Sequence, residues 1–322
     1  MSYKGFTATF QFYEKAVKLA NVKYDVVIIG GGTAGISAAC WCGELGLIAV
    51  LIEKNAELGG QLLSVFNPIK NHLGVETANG QEMRDIFVRQ MQNFKFDILT
   101  NSAVSKVDFE NKTLSLSDGK TLHFKALVIA TGVRRRKLNI KGETEFIGKG
   151  IIESGKRDGK TLVGKTVCVI GGGDAALENA LILSEFATKV FLIHRRENFR
   201  GRNEFLTRIL NNPKIEILRN TQIIEIIGNK NVEAIKLKNE AEFILPTDAI
   251  IFRLGVEPNT ELFRDKIVSD EFGYIKINGN CETNFSSIFA VGDVANRLSP
   301  TVSSAVGTGT TAAKVIWERL NL

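Results

Sequence analysis

Cysteine is scarce in this chain. Four occur, at positions 40, 42, 168 and 281, and no two have the C-x-x-C spacing of a redox dithiol or a zinc knuckle. Apolar residues near the N-terminus are interrupted by Lys4, Glu14, Lys15 and Lys18, so the pattern of a secretory h-region is lacking. Few thiols without an export signal lead us to expect a cytoplasmic, reducing compartment. Long apolar runs are lacking too. The uncharged stretch Val26 to Gly43 holds Gly30, Gly31, Gly32 and Gly35 at its centre, and reads as strand, turn and helix rather than a membrane span. Only five prolines occur and no low-complexity tract is present, which excludes a disordered chain. No metal-ligand cluster, nucleophilic triad or paired-carboxylate motif stands out.

What is present suits two folded domains, because 322 residues exceed what one core usually organises. The net charge of +6 is spread along the chain, with concentrations at Arg134-Arg135-Arg136-Lys137 and His194-Arg195-Arg196. Aromatics do not interleave with these cations on one module, so nucleic acid is not an expected partner. An acidic partner or a phosphorylated ligand is compatible with mild positive charge.

One construction appears twice. Tyr24-Asp25-Val26-Val27-Ile28-Ile29 is a β-branched run ending at Gly30-x-Gly32-x-x-Gly35, with a helix expected from Ile36 to Leu45. Thr166-Val167-Cys168-Val169-Ile170 ends at Gly171-x-Gly173-x-x-Ala176, with a helix from Leu177 to Phe186. Glycines between a strand and a helix let backbone N–H groups approach a pyrophosphate at the positive helix end. One copy is explained by a plain tight turn; two with matching flanks indicate two dinucleotide sites. Thr33 and Ala34 in the first loop, and Asp174 and Ala175 in the second, belong to these candidate sites.

The end of the next strand distinguishes the nucleotides. Ile48 to Ile52 leads to Glu53 and Lys54, whereas Val190 to Ile193 leads to His194, Arg195 and Arg196. Both positions lie 23 residues after the first glycine (30 to 53, 171 to 194). A carboxylate accepts hydrogen bonds from a ribose diol, as FAD requires, while an arginine fork binds a 2′-phosphate. The first site is therefore expected to take FAD and the second NADPH; the bland alternative for the second is a solvated basic strand end.

Val128-Ile129-Ala130-Thr131-Gly132 and Ile288-Phe289-Ala290-Val291-Gly292-Asp293 read as two more strands ending in small-residue turns. We expect an α/β chain of two Rossmann-like three-layer domains, the NADPH domain inserted into the FAD domain. The expected division is 1–23 as an N-terminal extension, 24–135 and 258–322 as the FAD domain, and 136–257 as the NADPH domain. The crossings fall near Gly132 to Leu138 and Gly255 to Thr260. The extension, with Phe6, Phe10, Phe12, Tyr13, Val17 and Leu19 partly at helical spacing, reads as an amphipathic helix that covers the flavin, extends a dimer interface or braces the FAD domain.

Together these residues resemble the thioredoxin reductase family of two-domain flavoproteins after about residue 23. The match adds Gly59-Gly60-Gln61, Asn71, Ala130-Thr131-Gly132, Arg200, Gly255-x-x-Pro258-Asn259-Thr260, Gly292-Asp293 and a Gly307-Thr308-Gly309 helix start. The resemblance implies that Asp293 holds the ribityl chain and that the protein is a homodimer. It departs from the family at Ser154 and Arg157, which stand where the two active cysteines would be, and at Pro300-Thr301-Val302, where the family has Arg-Gln-Ala at the flavin. With Thr301 and Val302 there, N–H groups at the following helix start become candidate flavin contacts.

Loss of the dithiol with both nucleotide sites kept resembles the ferredoxin or flavodoxin NADP reductases of the thioredoxin-reductase type. Phe66 sits at the offset of that branch's flavin-stacking aromatic, or else is ordinary core. The expected function is FAD-dependent oxidoreduction between NADPH and ferredoxin or flavodoxin, the carrier docking at Arg134 to Lys137 unless that run is only a solvated hinge. The alternative is reduction of a small molecule: a quinone, oxygen or an external disulfide.

Overall fold

The computed structural model describes residues 23–321. The helix expected before Lys23 lies outside them. Lys23 opens β1 (Lys23–Ile29), which feeds α1 (Thr33–Glu44), β2 (Ala49–Ile52), α2 (Gly80–Met91), β3 (Asp97–Leu99), β4 (Val104–Asp108), β5 (Thr113–Leu116) and β6 (Thr121–Ile129). These strands form a sheet in the order β3-β2-β1-β6-β5-β4. β6 alternates buried and exposed residues along its first half, where β5 pairs with it antiparallel, and is continuously buried along Ala126–Ile129, where its neighbours are parallel β1 and the later strand Ile288–Ala290. The period changes where both faces become covered.

β7 (Val133–Arg135) then carries the chain into a second unit. It contains β8 (Ile151–Ile152), α3 (Gly155–Asp158), β9 (Thr166–Gly171), α4 (Asp174–Ser184), β10 (Lys189–Ile193), α5 (Asn203–Leu210) and β11 (Ile215–Leu218). A meander of β12 (Gln222–Gly228), β13 (Val232–Lys238) and β14 (Glu242–Pro246) follows, then β15 (Ala249–Arg253). Its main sheet is parallel, in the order β11-β10-β9-β15-β8. β16 (Val256–Pro258) leaves this unit antiparallel to β7, pairing Glu257 with Arg134. The chain returns through β17 (Ile288–Ala290), which pairs with β6, and ends in α6 (Val302–Asn321). The second nucleotide fold is thus inserted into the first.

Gly307 and Gly309 do not start a helix, contrary to the sequence reading: both lie inside α6. Their role is close approach. A Cβ on Gly309 would come 2.4 Å from the Ala34 carbonyl oxygen and 3.0 Å from the Ala38 nitrogen, so glycine lets α6 press on α1. Both glycine-loop helices also begin three residues before the sequence reading, at Thr33 and Asp174, because Gly32 and Gly173 are already their N-caps.

Candidate functional site

The two loops are built alike. Gly30 has φ +110°, and a Cβ there would strike the Ala130 carbonyl at 2.3 Å; a Cβ on Gly171 would strike the Arg253 carbonyl at the same distance. Each first glycine therefore lets its loop pass over the end of the neighbouring strand. Gly35 and Ala176 are packing positions: a Cβ on Gly35 would meet the Gly30 oxygen at 1.9 Å, and the Ala176 Cβ lies 3.1 Å from the Cβ position of Gly171. Gly32 and Gly173 are N-caps with extended ψ of −177° and −179°, and neither supplies a side-chain cap. On α2, by contrast, Asn79 accepts from the Glu82 nitrogen at 2.9 Å, and Glu82 accepts from the Ala78 nitrogen. The first N–H groups of α1 and α4 stay available for a phosphate.

A cleft of about 390 Å³ opens over the first loop. Of the residues expected at FAD, Gly30, Gly32, Thr33, Ala34, Glu53, Lys54, Gly60, Gln61, Ala130, Thr131, Gly132, Gly292, Asp293, Thr301 and Val302 line it. Gly35, Phe66 and Asn71 do not: Gly35 packs beneath the loop and Asn71 is exposed. Phe66 instead faces the second unit, with the Arg157 guanidinium 4.8 Å from its ring centroid. Burial raises the pKa of the Asp293 carboxyl. Thr301 begins α6, accepting from the Ser304 nitrogen at 3.2 Å, so the positive end of a 20-residue helix sits at the cleft.

The glycine cradle, the buried acid at 53 and two helix N-termini fit an FAD pyrophosphate and ribose. Asn259 and Arg134 also line the cleft, although the sequence reading placed neither at FAD. Asn259 exchanges hydrogen bonds with Thr131 across the crossing, Thr131 Oγ1 donating at 2.7 Å and Asn259 Nδ2 donating at 2.8 Å. The signal was present in the Pro258-Asn259-Thr260 motif, but without the pairing of β7 and β16 nothing placed it at the cleft.

In the second unit, Arg195, Arg196 and Arg200 are exposed just beyond β10. His194 does not join them. It is buried, its Nε2 lies 3.2 Å from the Asn198 carbonyl, and its ring stacks on Phe199 at 5.0 Å. Burial, with the neighbouring arginine charges, lowers its pKa. Its ring fills the space a Cβ on Gly172 would need, 2.3 Å away. The position corresponding to Glu53 is thus a packing group, and the cations follow it. Asp174, at the start of α4, accepts from the Arg202 nitrogen at 2.7 Å and so ties the basic loop to the helix.

Two nucleotide folds with uncapped glycine-turn helices, joined by a two-stranded crossing, define a flavin- and pyridine-nucleotide-dependent oxidoreductase. Residues 24–309 match the family described as pyridine nucleotide-disulphide oxidoreductase, and the chain belongs to that family. It is 34% identical over 303 residues to a thioredoxin reductase of Rickettsia bellii, spanning 91% of this chain and 97% of that one. Against a thioredoxin reductase of Listeria innocua the identity is 31% over 290 residues, spanning 89% and 90%. The crystal structure of Lactococcus lactis thioredoxin reductase in the FR conformation is similar at a TM-score of 0.81 and 31% identity, covering 93% of this chain and all of that one. The chain is thioredoxin reductase-like, and its cofactors are FAD and NADPH.

These likenesses overturn the expected ferredoxin or flavodoxin partner and the ferredoxin–NADP reductase activity, since these relatives are named for thioredoxin. The three arginines of the basic run offered as the docking patch are engaged within the molecule. Arg134 bridges Glu257 at 2.8 Å and Glu261 at 2.5 Å, Arg135 donates to the Glu153 carbonyl at 3.1 Å, and Arg136 to the Val256 carbonyl at 3.0 Å. They brace the crossing. Among the described residues no helix is long and apolar enough to cross a membrane.

Proposed function

We propose that the chain is an FAD-dependent NADPH oxidoreductase that reduces a small acceptor, an external disulfide foremost, at the flavin itself and without a resident dithiol. Bound FAD would supply the two-electron redox chemistry, so the chain's own residues supply binding and alignment rather than an acid, base or nucleophile. The observation that carries this reading is the placement of the thiols. None of them lines the FAD cleft or the cavity at the junction of the two units. Cys42 and Cys168 have no exposed surface, Cys281 is 4% exposed, and Cys40 opens on a separate cavity beside Trp41 and Phe94. At the junction stand Ser154 and Arg157, neither of which can form a disulfide.

In this reading the α1 N-terminus and Glu53 hold the FAD, Asp293 faces its ribityl chain, and Arg195, Arg196 and Arg200 meet the NADPH 2′-phosphate. The test is NADPH oxidation by the FAD-loaded protein with small disulfides, quinones and thioredoxin as acceptors, repeated with Cys40→Ser and Cys168→Ala. Turnover of a small acceptor that both variants retain is expected. Efficient thioredoxin reduction that either variant abolishes would overturn the reading.

A further inference from the structure

A cavity of about 180 Å³ lies between the two units. Phe66 and Asn67 form its wall on the first unit; Ser154, Lys156, Asn179 and Arg253 form the other. It adjoins the FAD cleft, because Val65 lines both. Its lining holds two cations and no carboxylate, with an aromatic ring beside them.

Arg253 is the informative group. Its Nη1 donates to the Phe252 carbonyl at 2.9 Å, and its Nη2 to the Glu153 carbonyl at 2.6 Å and to Asn179 Oδ1 at 3.3 Å. All three partners are neutral. Among the described residues no carboxylate forms a salt bridge with it, and two of the five N–H groups of a guanidinium remain without an acceptor. Burial, then the charge of Arg135, lowers its pKa to about 10 against the opposing charges of Glu178, Glu153 and Asp158, so the half-buried guanidinium is still cationic at neutral pH. A partly desolvated cation whose direct hydrogen-bond acceptors are all neutral, with carboxylates only at longer range, is further stabilised by an anion brought into contact.

Asn67 donates weakly to the Glu178 carboxylate at 3.5 Å, and the remaining polar groups of the lining offer donors. Asn179 is fixed by donating to the Ala175 carbonyl at 2.7 Å and accepting from the Gly155 nitrogen at 3.0 Å. Buried Ser154 accepts from the Arg157 nitrogen at 3.3 Å and, among the described residues, donates to nothing. Lys156 is exposed at the rim without an ion-pair partner among the described residues. Guanidinium, ammonium and hydroxyl donors thus line the same cavity as Phe66.

Resting on the reductase reading above, we infer that this cavity binds the carboxylate end of the acceptor, which is a small carboxylate-bearing disulfide whose body packs on Phe66. The net reaction takes one hydride from NADPH and one proton from solvent. Two electrons break the S–S bond, two S–H bonds form, and NADP⁺ and two thiols leave.

The FAD-loaded protein should be assayed with NADPH and two probe disulfides, anionic 5,5′-dithiobis(2-nitrobenzoate) and neutral 2,2′-dithiodipyridine. Arg253→Gln is expected to raise KM for the anionic disulfide about tenfold or more, and Lys156→Gln about threefold, moving the kcat/KM ratio toward the neutral one. Benzoate should compete with the anionic disulfide in the wild type and lose about tenfold in Ki against Arg253→Gln. If Arg253→Gln does not fold, Lys156→Gln and benzoate competition decide the matter. Reduction of both disulfides with a ratio that neither variant nor benzoate moves would overturn the cavity and leave the reductase standing. Reduction of neither by the wild type would reject the reductase reading, and this inference with it.

Discussion

The Glu53 carboxylate accepts a 2.8 Å hydrogen bond from the backbone N–H of Gly31, tying the end of β2 to the loop that follows β1. Its other oxygen accepts from the Asn55 nitrogen at 2.9 Å and from Asn55 Nδ2 at 2.8 Å. A carboxylate has about four lone-pair sites, so three internal donors orient it and leave capacity for a ribose hydroxyl. The acid therefore positions the loop as well as offering an acceptor to FAD.

Glu53→Gln keeps the shape but turns one acceptor oxygen into an NH₂ group facing a backbone N–H or Asn55. Leaving a buried donor unmatched costs about 1–3 kcal/mol. FAD affinity should fall roughly tenfold or more, read by titrating apoprotein with FAD and by flavin absorbance after gel filtration. Wild-type FAD retention in this variant would remove Glu53 from the nucleotide site.

The basic loop after β10 predicts nucleotide choice. Arg195 and Arg196 are exposed, and no ion pair engages them among the described residues. Charge-assisted contacts to a 2′-phosphate are worth about 1.5–3 kcal/mol. The Arg195→Ala, Arg196→Ala double variant should lose about 10- to 100-fold or more in kcat/KM for NADPH while turning over NADH. The wild-type preference for NADPH should also shrink as salt rises. Equal efficiency with the two nucleotides in the wild type would refute this assignment.

Much of the site was legible because it is local. Strand, glycine loop and helix are contiguous, so spacing alone put Gly30, Gly32, Gly171 and Gly173 in the turns between strand and helix, and counting brought Glu53 and His194 to corresponding strand ends. Counting did not reveal direction: His194 turns inward because Gly172 leaves room for its ring and Phe199 stacks on it. Asn259 and Thr131 are 128 residues apart and meet only because β16 pairs with β7. Phe66 belongs to the same class, since its contact with Arg157 exists only once the units are juxtaposed. Gly309 misled because glycine ordinarily marks a helix boundary, whereas here it permits contact between two helices. The β12-β13-β14 meander went unmarked, because an irregularity between Ile223 and Glu225 breaks the period-two pattern of β12 and β14 has no buried residue.

The raised thiol pKa values contribute a declining limb of stability at alkaline pH. Burial is the leading cause that pushes Cys40 up to about 11, and Cys42 and Cys168 up to about 12. The charge of Asp25 adds to the effect on Cys42, while a hydrogen bond from Thr247 works against it at Cys168. In an unfolded chain a thiol titrates near about 8.5. Below that pH both states hold the proton, and the stability tied to these groups is fully present. Above it the unfolded chain releases protons that the folded chain still retains, so stability falls as pH rises toward 11 and 12. Denaturant titrations from about pH 7.5 to 10.5 should show this declining limb, starting near the unfolded thiol value of about 8.5. Cys168→Ala, though less stable near neutrality from the small cavity it leaves, should have a shallower decline. Iodoacetamide at pH 8 should label Cys168 only after unfolding. A native protein that labels there as fast as the unfolded chain, with a limb that Cys168→Ala does not flatten, would show that the thiol in β9 is not sealed from solvent.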